Sequence, residues 1–350
     1  MSKILRAAAF ALLTAVAGCG VSTPEAPIRP AAPPLRRAAQ KQIEGRCAQL
    51  KALLAPLAVR GIGLHYRAFE LGYAPEEICS FIKAAGFNRV YFHISSETEL
   101  DGRLTAFLAA AEKAGFTTEI ILRHSQFHPR ARGNRVLRSL RPVYPEVPDM
   151  LRRVVEYNEK LSRKTGKLDG VTVWVEPHLY TSTHPGTKQL FAWNEKAFGP
   201  GLDNDLLMRA ALDMLRKLDP GDLPLTVAVP DFYQELAAEG KVTKGTVLDF
   251  MATRPKTPDI MLMSTANKPS QIVDGTLSEL AATGRQHRVL LGIELAGHAS
   301  DTGARLRPRD WNDFIRIMTY VVREHRKHPE FRGLFLTPLA VLEFLITEQN

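Results

Sequence analysis

Short apolar runs of strand length recur along the chain, and longer segments between them carry apolar residues at helical spacing. The strand-like runs are apolar at consecutive positions, which is typical of parallel strands that are buried on both faces. They comprise residues 61–66, 89–94, 117–123, 170–176, 225–230, 259–265, 288–295 and 333–339. The pattern therefore predicts eight buried strands.

The intervening segments predict helices that alternate with these strands. They cover residues 75–85, 104–114, 149–164, 205–218, 271–282 and 308–325, with an extra helix at 42–57 before the first strand. Gly86 and Gly115 stand where two helices should stop, each directly before a phenylalanine that leads into a strand. Eight strand and helix units in about 300 residues predict a single-domain (β/α)8 barrel. A doubly wound open sheet is the alternative, but no glycine-rich nucleotide turn follows the first strand.

The first 18 residues predict an export signal, because a basic start precedes an apolar run and then small residues. The stretch Val16-Ala17-Gly18-Cys19 resembles a bacterial lipobox, which implies lipid attachment at Cys19; a plain secretory signal is the alternative. Gly20 resembles the residue found in lipoproteins sorted to an outer membrane. Residues 19–42 are rich in proline and alanine and predict a tether. The barrel would then comprise residues 43–350, anchored in the bacterial envelope and facing the periplasm or the cell surface.

Composition and charge say little about which molecules the protein binds. The formal net charge is +9, yet no zinc ribbon, phosphate-binding loop or basic module with interleaved aromatics accompanies it, so a nucleic acid is not expected. No cofactor is expected either. Cys47 and Cys79 could form a disulfide in an oxidising compartment or remain two separate buried thiols.

Two glutamates end predicted strands: Glu176 the fourth, and Glu294 the seventh. In a (β/α)8 barrel the carboxyl ends of the strands carry the active site. At these residues the chain resembles the clan of retaining glycoside hydrolases built on (β/α)8 barrels. The resemblance implies that Glu176, followed by Pro177, is the acid/base and that Glu294 is the nucleophile. The expected substrate is a cell-envelope or extracellular polysaccharide or oligosaccharide.

Other positions depart from that clan and keep alternatives open. Val175 replaces the asparagine that usually precedes the acid/base, and Thr337-Pro338 replaces a tryptophan platform. A non-catalytic polysaccharide-binding barrel is therefore one alternative. A metal-dependent hydrolase is another, because histidines lie near five strand ends, although none of them shows tight ligand spacing. These histidines are His65, His93, His124, His178 and His298.

Hydrogen bonding to sugar hydroxyls is the favoured interpretation of the histidines. Aromatic side chains near the mouth could stack on sugar rings; they include Tyr66, Trp174 and Tyr233. Asp231, after the fifth strand, is the alternative to Glu294 as the carboxylate that faces Glu176. The loop after strand three is rich in arginine, from Arg123 to Arg141. It suits either acidic groups on a glycan, a solvated surface or anionic lipid headgroups.

Overall fold

Eight parallel strands close into a barrel in which each strand hydrogen-bonds to the next along the chain and the last pairs with the first. This computed structural model confirms the predicted (β/α)8 fold. It describes residues 34–65, 73–94, 100–123, 130–132, 141–143, 146–162, 166–179, 181–183, 190–192, 203–253, 258–264, 266–283, 289–296 and 306–347.

All eight predicted strands are present, with boundaries shifted by one or two residues in most cases. They are β1 (Val59–His65), β2 (Arg89–Ile94), β3 (Thr117–Arg123), β4 (Gly170–Trp174), β5 (Leu225–Pro230), β6 (Asp259–Ser264), β7 (Val289–Glu294) and β8 (Phe331–Thr337). Two short antiparallel ribbons add to the barrel. One pairs Arg130–Arg132 with Arg141–Val143, and the other pairs Thr181–Thr183 with Leu190–Ala192.

Helices alternate with the strands. They are α1 (Pro34–Leu54), α2 (Pro75–Ala84), α3 (Gly102–Ala114), α4 (Glu146–Lys160), α5 (Asp203–Lys217), α6 (Tyr233–Ala238), α7 (Val247–Met251), α8 (Pro269–Thr283), α9 (Trp311–His325) and α10 (Leu339–Thr347). Helix α1 begins at Pro34, inside the segment predicted as a tether. Proline is tolerated in a first helical turn, and the alanines, arginines and lysine after it favour a helix. None of the helices in the described ranges is long and apolar enough to cross a membrane.

The predicted stops of α2 and α3 are confirmed by the backbone. Gly86 and Gly115 have φ angles of 92° and 79°, which glycine adopts without the steric cost of a side chain. At the other end of α3, the side chain of Asp101 accepts hydrogen bonds from the backbone N–H groups of Arg103 and Leu104. Local sequence signals therefore fix both ends of α3.

The barrel interior is stacked in layers. Its floor is polar, because Arg89 on β2 contacts Glu119 on β3 at 2.6 Å and Arg332 pairs with Asp259. Above the floor lies an apolar layer that comprises Val59, Tyr91, Ile121, Trp174, Ala228, Met261, Met263, Leu290 and Phe335. A larger apolar core fills the space between the strands and the helices. The third layer, at the carboxyl ends of the strands, is polar again and forms the mouth.

Cys47 on α1 and Cys79 on α2 are both buried free thiols, so the structure has the second of the two predicted alternatives. Burial, with a contribution from nearby glutamates, raises the pKa of Cys47 to about 11 and that of Cys79 to about 12. Both side chains behave as small apolar core residues.

Candidate active site

Strand alternation directs a set of polar side chains into the barrel mouth. On β4, Trp174 belongs to the interior layer while Val173 and Val175 face the helices. Glu176 therefore returns to the interior side, because side chains alternate between the two faces of a strand. The strand itself ends at Trp174, two residues earlier than predicted, and a short 3₁₀ turn at Pro177–Leu179 follows Glu176. By the same parity Arg123, Glu294 and Thr337 point inward.

Arg123 is the centre of this polar layer because it contacts both glutamates. Its Nε donates to Glu176 Oε2 at 2.8 Å, and its Nη2 donates to Glu176 Oε1 at 3.0 Å. Its Nη1 reaches Glu294 Oε1 at 3.5 Å. The side chain of Glu176 is only 6% exposed, whereas those of Arg123 and Glu294 are each 18% exposed. The structure thus brings the two predicted carboxylates together around one guanidinium.

The shared guanidinium limits how far apart the two carboxylates lie. Because the nitrogens of one guanidinium are fixed in a small planar fork, the contacting oxygens of Glu176 and Glu294 lie within about 9 Å of each other. Carboxyl separations of about 5–5.5 Å are typical of retaining glycosidases, and about 6.5–9.5 Å of inverting ones. The limit therefore admits the retaining separation and most of the inverting range.

Two histidines and a threonine, on β1, β2 and β8, continue the polar layer of the mouth beside Arg123 and Glu294. The rings of His65 and His93 stack with centroids 4.6 Å apart, and His93 Nε2 lies 3.1 Å from Thr337 Oγ1. Burial, then the neighbouring charges of His65 and Arg123, holds the pKa of His93 well below its usual range. His93 is therefore neutral at pH 7. Its Nδ1 is buried and has no hydrogen-bond partner within the described part of the chain.

His178 lies on the turn after Glu176 and binds a buried tyrosine. Its Nδ1 is 2.6 Å from the hydroxyl of Tyr233, and the ring of Phe232 contacts it edge-on. Burial, together with the charge of Arg123, lowers the pKa of His178 to about 4. The imidazole is neutral at pH 7, and Tyr233, only 1% exposed, supports it from below rather than facing a sugar.

Two predicted sugar contacts do not fit the structure. Trp174 is 2% exposed, and the guanidinium of Arg123 covers its ring with Cζ 4.1 Å from the centroid, so that face is closed to stacking. Asp231 lies one position beyond β5, where alternation turns it toward the helices. Its Oδ2 packs against Gly275 on α8, where an added Cβ would lie 3.2 Å away. Glu294, not Asp231, is the carboxylate that shares Arg123 with Glu176.

The remaining predicted residues are divided by what the structure describes. Cys19, Tyr66, His124 and His298 lie outside the described residues. Among those described, no group of three or more histidine, cysteine, aspartate or glutamate side chains is close enough to hold a metal ion. Three of the five predicted histidines are described: His93 contacts Thr337 and the ring of His65, and His178 contacts Tyr233.

A buried glutamate behind the mouth was not predicted. Glu279 on α8 is 1% exposed, and its Oε1 accepts a hydrogen bond from the backbone N–H of Gln234 at 3.1 Å. Burial, with the charge of Asp231, raises the pKa of Glu279 to about 8. The sequence does not predict that Glu279 lies near Asp231, because the apolar pattern of α8 does not fix which residues of the helix face the end of β5.

Fold and site together define a (β/α)8-barrel protein with a carboxylate at the end of β7 and another just beyond β4. No protein-family model matches the chain, and no curated protein matches it. Three of the solved structures with a similar fold are enzymes.

One similar structure is xylanase B from Clostridium stercorarium F9, at 11% identity and a TM-score of 0.40, over 82% of this chain and 87% of that one. A family GH13_31 enzyme is similar at 10% identity and a TM-score of 0.34, over 67% of this chain and 58% of that one. A 2,3-dimethylmalate lyase of the PEP mutase/isocitrate lyase superfamily is similar at 12% identity and a TM-score of 0.36, over 88% of this chain and 78% of that one. Similarities this low carry no conclusion about activity.

Proposed function

We propose that the protein is a glycoside hydrolase that cleaves a polysaccharide with a pair of carboxylates. The observation that supports this proposal is the convergence of Glu176 and Glu294 on Arg123 at the carboxyl ends of the strands. Catalytic residues of (β/α)8 enzymes come from that end of the barrel. Two carboxylates there can divide the work of breaking a glycosidic bond.

In the retaining mechanism, Glu176 protonates the departing glycosidic oxygen while Glu294 attacks the anomeric carbon and forms a glycosyl ester. Glu176 then removes a proton from water, which attacks the same carbon and releases Glu294. Both oxygens of Glu176 accept hydrogen bonds from Arg123 in the structure. Proton transfer therefore requires substrate to draw Arg123 away from at least one of them.

The test measures release of reducing ends from a panel of neutral and acidic polysaccharides. Glu176→Gln and Glu294→Gln should each lower hydrolysis at least 1000-fold, because each removes one half of the mechanism. Glu235→Gln, at an exposed position on α6, is the matched control and should keep wild-type activity. Circular dichroism establishes that the variants are folded.

The two glutamates can then be assigned by rescue with azide. In a retaining enzyme, Glu294→Ala with azide should give a glycosyl azide of inverted configuration, whereas Glu176→Ala with azide should give one of retained configuration. Full hydrolysis by either glutamine variant would contradict the proposal.

A second candidate is a polysaccharide-binding barrel without catalysis, and the bidentate contact between Arg123 and Glu176 favours it. In a binding protein Glu176 can stay bound to Arg123, because it transfers no proton. Such a protein would keep an oligosaccharide intact during incubation for days. Its affinity would be unchanged by substitutions that abolish hydrolysis in an enzyme.

We also propose that Cys19 carries a lipid anchor, supported by the lipobox-like residues that precede it. Labelled palmitate should be incorporated into the full chain when it is expressed in a bacterium and should be absent from Cys19→Ser. The substituted protein should also move from the membrane fraction to the periplasmic fraction. Equal labelling of both proteins would rule out the anchor.

A further inference from the structure

Tyr233 and His178 form a hydrogen-bonded pair beside the mouth. His178 Nδ1 lies 2.6 Å from the hydroxyl oxygen of Tyr233, which is the first residue of α6. The ring of Tyr233 contacts that of Phe232 with centroids 5.0 Å apart and stacks on that of Phe250 with centroids 6.2 Å apart. Because Tyr233 is buried and close-packed in this way, its hydroxyl is held in one position.

The pair decides which nitrogen of His178 carries the proton. Burial and the charge of Arg123 keep the imidazole neutral at pH 7, so it has one N–H donor and one acceptor nitrogen. A phenol hydroxyl is a better donor than acceptor, because its oxygen lone pairs are partly delocalised into the ring. The hydroxyl of Tyr233 therefore donates to Nδ1 of His178, and the proton of the imidazole is on Nε2.

The N–H group at Nε2 is available to a ligand. Nε2 is on the opposite side of the ring from Nδ1, makes no hydrogen bond within the described residues and is not buried. His178 is two residues beyond Glu176, and the charge of Arg123, which holds Glu176, acts on the imidazole. The donor therefore borders the mouth on the side of Glu176.

We propose that His178 is a specificity-determining residue whose Nε2–H group donates a hydrogen bond to a hydroxyl of the sugar beside Glu176. Tyr233 is the positioning residue that fixes the tautomer required for this contact. A site that offers a buried donor binds a sugar with an oxygen at that point and rejects an analogue without it. The inference rests on the proposed carbohydrate function for the kind of ligand, but it is tested separately from hydrolysis.

The tautomer is tested first, in the full chain with ¹⁵N-labelled histidine and without ligand. Two-bond ¹H–¹⁵N NMR spectra at pH 7 distinguish a protonated imidazole nitrogen from an unprotonated one. The wild type should carry the proton on Nε2 of His178, whereas Tyr233→Phe should show a mixture of both tautomers. A proton on Nδ1 in the wild type overturns the proposal.

Tyr157→Phe is the matched control for Tyr233→Phe. It also removes one tyrosine hydroxyl, which lies 2.7 Å from the hydroxyl of Thr105 and joins α4 to α3 outside the barrel. This variant should leave the NMR signals of His178 unchanged. If Tyr157→Phe and Tyr233→Phe change these signals equally, the positioning role of Tyr233 is overturned.

Sugar binding is then measured by titration calorimetry in the Glu294→Gln background, so that the ligand is not consumed. The probes are xylohexaose, cellohexaose and hexagalacturonate. Affinity for the probe that binds should fall about tenfold in His178→Ala. It should fall less in His178→Gln, whose side-chain amide places an N–H donor near the position of Nε2. Tyr233→Phe should weaken binding about twofold, because only part of the population then has the competent tautomer.

Equal affinity in His178→Ala and its parent overturns the proposal. So does an equal loss of affinity in His178→Ala and His178→Gln, or failure of all three probes to bind. The fate of the hydrolase is distinguishable from these outcomes. If His178→Ala loses affinity but the wild type never cleaves the probe, the role of His178 stands and the barrel is a binding protein. If the wild type cleaves the probe and His178→Ala binds and cleaves it equally well, the hydrolase stands and the role of His178 does not.

Discussion

Arg123 holds both oxygens of Glu176, at 2.8 Å and 3.0 Å, inside the mouth of the barrel. A third contact, at 3.5 Å, extends from the same guanidinium to Glu294. One positive charge therefore contacts both carboxylates of the mouth. Arg123 therefore affects both the stability of the fold and the two glutamates of the proposed mechanism.

Replacing Arg123 with glutamine should lower the free energy of unfolding by about 3–5 kcal/mol, because it leaves charged partners without compensation. Arg123→Lys should cost less, since it keeps the charge but loses the bidentate contact. Urea denaturation measures both. Arg89→Gln breaks a similar pair with Glu119 at the floor of the barrel and should reduce stability without changing ligand affinity. Wild-type stability in Arg123→Gln would contradict this prediction.

Gly63 makes room for the contact between His93 and Thr337. A Cβ at this position would lie 2.9 Å from His93 Nε2 and 2.7 Å from Thr337 Cβ, both closer than real contacts allow. Gly63→Ala should therefore destabilise the protein by about 1–3 kcal/mol. Gly45→Ala, in helix α1 with nothing within 4 Å, should instead stabilise it by about 0.5–1 kcal/mol. Thermal unfolding of the two variants checks the contrast, which disappears if the strands shift freely around Gly63.

Glu279 should make the protein less stable as the pH rises. Its pKa is about 8 in the folded chain, against a reference value of 4.5, so the folded state holds a proton that the unfolded state releases. The stabilisation is complete below pH 4.5 and is lost as the pH rises to 8, at up to about 1.4 kcal/mol per pH unit. Glu279→Gln should remove this part of the pH dependence, whereas Glu235→Gln should not. If the urea midpoints of Glu279→Gln and of the parent change equally from pH 5 to 8, the raised pKa of Glu279 is contradicted.

His178 should have the opposite effect at lower pH. Its pKa falls from 6.5 to about 4 on folding, so only the unfolded chain binds the proton between these values. Its contribution to stability is complete above pH 6.5 and is lost as the pH falls to about 4. In His178→Gln the loss of stability over that interval should be smaller than in the parent. NMR titration of His178 gives an independent check, and an ordinary midpoint near 6.5 would contradict it.

The strands and their order were predictable because burial on both faces leaves unbroken apolar runs. Alternation along each strand also carries the orientation of the end residues. Counted from the interior residue Ala228, Asp231 falls on the helix side, so its parity argued against a place in the mouth. The sequence could not show that Arg123 joins Glu176 to Glu294, since that contact depends on how the closed barrel brings β3, β4 and β7 together. Nor could it show that Arg123 closes the face of Trp174.

The seam between β1 and β8 joins the first strand of the barrel to the last, with Gly61 opposite Phe335. During synthesis β1 emerges long before its second neighbour, so the growing sheet keeps two unpaired edges until β8 is available. Such edges are templates for aggregation. Pairing of β8 with β1 therefore removes both sheet edges in a single step. Premature termination before β8 would yield an insoluble fragment and not a smaller stable sheet.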